Sequence, residues 1–122
     1  MSNKAASKLV GVLFVSRNVA HQMHLKTRSY AQHKALETFY EDIIGLADDF
    51  AEQYQGCYQE LLDIPFLSAK EEDPLKYFED TLKFVHSTRY DVCPKEDTSL
   101  QNVIDEIEGL LHSTIYKLKF LS

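Results

Sequence analysis

The stretch "HKALETFYEDIIGLADDFAE", His33 to Glu52, decides how this 122-residue chain folds. At about 100° per residue, Leu36, Phe39, Tyr40, Ile43, Ala47 and Phe50 fall on one side, an apolar seam facing a core. His33, Glu37, Asp48 and Glu52 share another stripe roughly a quarter of the circumference wide. Read as a helix, the segment extends from about 30 to 55. It starts at Ser29, whose spacing to Gln32 is that of a capping box. Gly56 follows as a C′ residue suited to stop it.

Working outward, three more helices emerge. Residues 5–27 place Leu9, Val12, Leu13, Val19, Ala20 and Met23 on one side. Asp73 followed by Pro74 is a cap with proline at the first helical position, opening a helix to about Tyr90 with Leu75, Phe78, Leu82 and Val85 inward. Thr98 and Gln101 repeat the capping-box spacing, and a fourth helix runs from there through Val103, Ile107, Leu110, Leu111, Ile115 and Leu118. The chain has only four Gly and three Pro, so long stretches lack helix breakers. The expected fold is all-α: an antiparallel, ferritin-like four-helix bundle spanning 1–122 as a single domain, with a short helix or loop in the long connection between helices two and three.

Composition narrows the function classes. Hydrophobic residues make up 44% and charged residues 26%, as in a globular domain. A formal charge of −6 gives the molecule as a whole no footprint for a nucleic-acid backbone, and "MSNKAASK" offers only two lysines as a basic arm. Cys57 and Cys93 form no CxxC and read as two reduced thiols. "LVGVLFV", Leu9 to Val15, is too short to cross a bilayer and is followed at Arg17 by charge rather than a cleavage site. A cytoplasmic protein with no membrane partner is expected.

The polar stripe carries the chemistry. His21 lies seven residues before a turn near Arg28 and His33 five after, about 10 and 8 Å from it along antiparallel helices, so the two rings can share a height. Glu37 is one turn beyond His33. Asp48 and Glu52 form a second i, i+4 pair, but His33 and Asp48 are about 22 Å apart along the axis, whereas metal–ligand bonds are about 2 Å. Two copies of the helix packed antiparallel about a two-fold axis near Asp42–Ile43 bring His33 and Glu37 of one against Asp48 and Glu52 of the other. Imidazole with carboxylates and no thiolate suits iron rather than a structural zinc site. His24, one turn from His21, is an auxiliary-ligand candidate, although its position reads as solvent-facing. A solvated acidic face with no metal is the other reading of the stripe.

The spacing His21, His33, Glu37, Asp48, Glu52 resembles the ferroxidase signature of the Dps family, the miniature ferritins. The C-terminal "IDEIEGLLHSTIYKLKFL" resembles that family's last helix. The resemblance implies a homodimer, extending to a homododecamer, that oxidises Fe(II) with peroxide or dioxygen and stores the ferric product. His21, His33 and Glu37 of one subunit, with Asp48 and Glu52 of its mate, would then hold iron, with Zn2+ or Mn2+ as substitutes. Glu37 stands where the family usually has Asp. Gln22 stands where it has Trp, a place Tyr30 or Tyr40 could fill. The chain also resembles small ferritin-like phage proteins, for which the alternative function is a non-catalytic interaction or structural module.

Overall fold

Ser29 and Asp73, the two caps read from the sequence, both close helix starts. Ser29 Oγ accepts from Gln32 N at 3.2 Å and Asp73 Oδ2 from Lys76 N at 3.2 Å, each satisfying one donor that a helix start leaves unpaired. The computed structural model describes residues 3–70 and 72–122. It contains α1 (Lys4–Lys26), α2 (Tyr30–Tyr58), α3 (Pro74–Val92) and α4 (Thr98–Phe120), with no strand among the described residues. No described helix is long and apolar enough to cross a membrane.

α1 packs on α2 and α3, and α4 packs on the same two, so α1 faces α4 and α2 faces α3 across the diagonals. Neighbours run antiparallel. The Tyr58 hydroxyl, at the end of α2, bonds Asp97 at the start of α4, and Asn3 Nδ2 at the start of α1 donates to Leu61 O just beyond α2. Diagonal α2 and α3 must run parallel, so the chain between them returns along the bundle. This crossover spans 59–73, and its described residues, 59–70 and 72–73, hold no helix, so the long connection is a loop there. One long crossover is the connectivity of ferritin-like bundles.

Gly11 seats the crossover on α1. A Cβ built there would lie 3.2 Å from each of Leu67 Cδ1, Pro65 Cγ and Pro65 O, so any side chain makes the crossover give way by a few tenths of an ångström. The centre of the bundle is filled by Phe39, Phe50, Phe78, Leu36, Ile43, Ile104, Ile107 and Leu111, all fully buried. Phe39 and Phe78 meet edge-to-face at 4.7 Å from opposite corners, a contact worth about 0.5–1.5 kcal/mol beyond its buried area.

Two sequence readings need correction. α2 does not stop at Gly56 but runs to Tyr58, with Gln59 in the left-handed conformation at φ 56°. Packing of Tyr54 and Tyr58 on each other at 4.6 Å, with Tyr58 tied to α4, carries the helix past the glycine. That outweighs the roughly 1 kcal/mol a helical glycine costs. Thr98 and Gln101 do not form a capping box either. Asp97 is the N-cap residue, without a side-chain cap bond, and Gln101 points inward. Its amide nitrogen donates to Arg89 O and Cys93 O, and its oxygen accepts from Arg89 Nε.

Candidate metal centre

A three-residue turn, Thr27 to Ser29, joins α1 to α2 and fixes which histidines meet. Thr27 is central to it: its hydroxyl donates to Gln32 Oε1 at 2.6 Å and accepts from Ser29 N at 3.2 Å. His24, in the last turn of α1, and His33, in the first turns of α2, are thereby brought face to face. Their rings stack at 3.6 Å and 21°.

The hydrogen bonds of this pair are reciprocal. His24 Nδ1 lies 2.7 Å from His33 O, and His33 Nδ1 lies 2.8 Å from His24 O. A carbonyl can only accept, so both Nδ1 atoms carry the proton. A neutral imidazole has one N–H, which leaves both Nε2 atoms with bare lone pairs. A backbone carbonyl on the far nitrogen is the usual device for setting the tautomer and orientation of a ligating histidine. Glu37 completes the set: His24, His33 and Glu37 each offer a ligand atom, all within 4.8 Å of one another. A bound ion with bonds of about 2 Å would draw them slightly closer.

Lys34 sits beside this group and donates to Glu37 Oε2 at 2.9 Å. That hydrogen bond, with the positive field of Lys34, holds the Glu37 carboxyl below its ordinary range. Glu37 is therefore charged at neutral pH and ready to accept a cation, in competition with Lys34.

His21 is placed apart from the three. Its ring stacks on Tyr40 at 4.3 Å and lies 6.0 Å from that of His24. The Arg17 guanidinium sits 5.2 Å from the Tyr40 ring. His24, read from the sequence as solvent-facing, is only 6% exposed. The signal for it was available: four residues before Arg28, it matches the height of His33, five residues after, better than His21 does. Asp48 and Glu52 lie exposed further along α2. A hydrogen bond and repulsion from Asp48 push the Glu52 carboxyl above its ordinary range, the behaviour of two acids close enough to share a proton.

The interior of the bundle holds no comparable set among the described residues. Its buried charges, Arg89 and Glu108, are paired at 3.1 Å. His86 Nδ1 lies 3.2 Å from both Glu108 oxygens, on the solvent side. A cleft of about 530 Å3 between α1 and the crossover is lined by Val15, Val19, Met23, Leu67 and Pro74 among others, and includes none of the histidines.

Residues 24–118 match the model of a family of unknown function (DUF5856), and the chain belongs to that family. It is similar to the "Uncharacterized 14.6 kDa protein in mobD-ri intergenic region" of Enterobacteria phage T4, with 30% identity over 115 residues, covering 93% of this chain and 87% of the phage protein. No solved structure matches it.

Proposed function

We propose that this member of the family binds a transition-metal ion through His24, His33 and Glu37, and that it acts on Fe(II) as a Dps-like ferroxidase and iron-storage protein. Two observations carry the reading: the reciprocal Nδ1-to-carbonyl bonds, which leave both Nε2 lone pairs free, and the grouping of His24, His33 and Glu37 with one ligand atom of each within 4.8 Å of the others. Two imidazoles and one carboxylate form a mixed shell suited to Fe(II). Fe(II) is here the substrate, held by these residues while the oxidant accepts its electrons.

Asp48 and Glu52 enter through a second copy. Two α2 helices packed antiparallel, with the exposed Ile44 near the middle, set the acidic pair of one beside His33 and Glu37 of the other. The raised Glu52 carboxyl supports this, since a cation between the two acids would relieve their repulsion. The working unit is a homodimer in the cytoplasm; the two-fold pairing closes at two copies, and a dodecamer needs a second, three-fold contact between dimers.

The test is Fe(II) oxidation followed by absorbance, with peroxide and with dioxygen, in the wild type and in His24→Ala/His33→Ala and Asp48→Asn/Glu52→Gln variants. Loss in the first and strong slowing in the second are expected. Unchanged oxidation in the histidine variant overturns the reading. A second reading, a non-catalytic interaction module, draws support from the Lys34–Glu37 ion pair, which satisfies the carboxylate without metal. It predicts protein purified without chelator to be free of iron, manganese and zinc.

A further inference from the structure

We infer that the end of the bundle formed by the α1–α2 turn and the last turns of α4 binds single-stranded nucleic acid. The charge of −6 is not spread evenly over the molecule. α1 has no acidic residue, α2 has none before Glu37, and α4 has none after Glu108. Asp48, Asp49, Glu52, Asp97, Asp105 and Glu106 all lie toward the opposite end. At the basic end stand Arg28, Lys117 and Lys119, with Lys34 paired to Glu37. On the α3 side Glu72, Asp73, Glu79 and Asp80 outnumber Lys76, which pairs with Glu72 and Asp80, so that corner is acidic and the basic surface is confined to α1, α2 and α4.

Three aromatic rings project among these cations. Tyr30 is 76% exposed, Phe120 68% and Tyr116 55%. Tyr116 and Phe120 lie 5.8 Å apart on successive turns of α4, and Lys119 Nζ is 5.7 Å from the Phe120 ring. Because Tyr58 bonds Asp97 and the two helices run antiparallel, Phe120 lies level with Ala35, about 7 Å along the axis from Tyr30. All three rings thus share one end. Rings that can stack on bases, set among cations that track phosphates, are the elements of a single-strand site.

Two alternatives fit less well. A bilayer surface calls for a continuous aliphatic helix face, and the apolar face of α4 is spent on the core. Duplex DNA hides the base faces that the rings would use, and its second strand would meet the acidic flank. The footprint is therefore a few nucleotides at the tip.

Fluorescence anisotropy with a labelled oligothymidylate of about 15 nucleotides, in chelator so that no metal bridges the two, tests this. Saturable binding is expected. With about four phosphates neutralised, it should weaken about fiftyfold between about 50 and 200 mM salt. Phe120→Ala and Tyr30→Ala should each weaken it by about fivefold or more, the lower end of what one stacked base contributes. Lys117→Gln/Lys119→Gln should flatten the salt dependence, and Phe66→Ala on the crossover should change nothing. Lys117 is half-buried and the other side chains are exposed, and circular dichroism verifies that each variant stays folded. Absence of saturable binding, equal binding by the aromatic and lysine variants, or sedimentation with phosphatidylserine vesicles that the oligonucleotide does not compete would each overturn the inference.

Discussion

Arg89→Leu should be among the most damaging single changes outside the apolar core. Arg89 projects from α3 into the α3–α4 seam. It donates to Gln101 Oε1 at 2.9 Å, Gln101 O at 2.9 Å, Glu108 Oε2 at 3.1 Å and Asp105 Oδ1 at 2.7 Å. The Asp105 side chain is 60% exposed, so its share is small, below about 1 kcal/mol. The Glu108 side chain is only 12% exposed and would keep His86 as its sole ionic partner. Removing one member of a buried pair costs about 3–5 kcal/mol. With His86 still able to solvate Glu108, the lower end applies, about 3 kcal/mol. For a chain of this size that lowers Tm by roughly 10–15 °C. The assay is urea and thermal unfolding followed by far-UV circular dichroism. Arg89→Leu/Glu108→Leu should recover most of the loss, because a well-packed apolar pair replaces a buried ion pair at little cost. A loss below about 1 kcal/mol for Arg89→Leu, or no recovery in the double variant, would refute the reasoning.

Gly11→Val should destabilise by about 1–3 kcal/mol and speed protease cleavage within residues 61–70, since its side chain meets Pro65 and Leu67. Gly11→Ala should stay within about 1 kcal/mol, a better helix former offsetting the crowding. Burial pushes the Tyr77 hydroxyl up to about 12. The unfolded chain ionises there near pH 10 while the folded one does not, so wild-type stability falls as pH rises from about 10 to 12, by up to about 2 kcal/mol. Tyr77→Phe should lack that part of the alkaline loss in urea unfolding at several pH values. Because Asp48 raises Glu52, the folded state favours the protonated acid, and this preference is lost as pH rises through the raised pKa. Asp48→Asn should return Glu52 to the ordinary carboxylate range in an NMR titration.

The fold was legible wherever local signals and burial agree. The α2 seam at Leu36, Phe39, Ile43, Ala47 and Phe50 is fully or almost fully buried, and Ser29 and Asp73 cap where their neighbours require. It was not legible where a distant residue overrides a local one. Gly56 carries a stop signal, yet the aromatic packing behind it and the tie from Tyr58 to Asp97 keep the helix going. Gln101 has capping-box spacing, yet Arg89, twelve residues earlier, offers it better partners inside. For the site, spacing points to α1 and α2 and to His33 with Glu37, which the structure groups with His24. Spacing ranked His21 above His24 because ring height alone cannot reveal that two backbone carbonyls are waiting for the Nδ1 protons of His24 and His33. The segregation of charge toward one end follows from antiparallel pairing and is invisible in a net charge.

Imidazole 15N resonances during a zinc titration probe the site at the atoms concerned. With one ion bound per chain, the Nε2 signals of His24 and His33 should shift together and saturate together, while those of His86 and His112 stay in place. The Nδ1 signals should remain those of protonated nitrogens throughout. Shifts at His21 in place of His24, or no saturable shift at any histidine, would contradict the assignment of His24, His33 and Glu37 as the metal ligands.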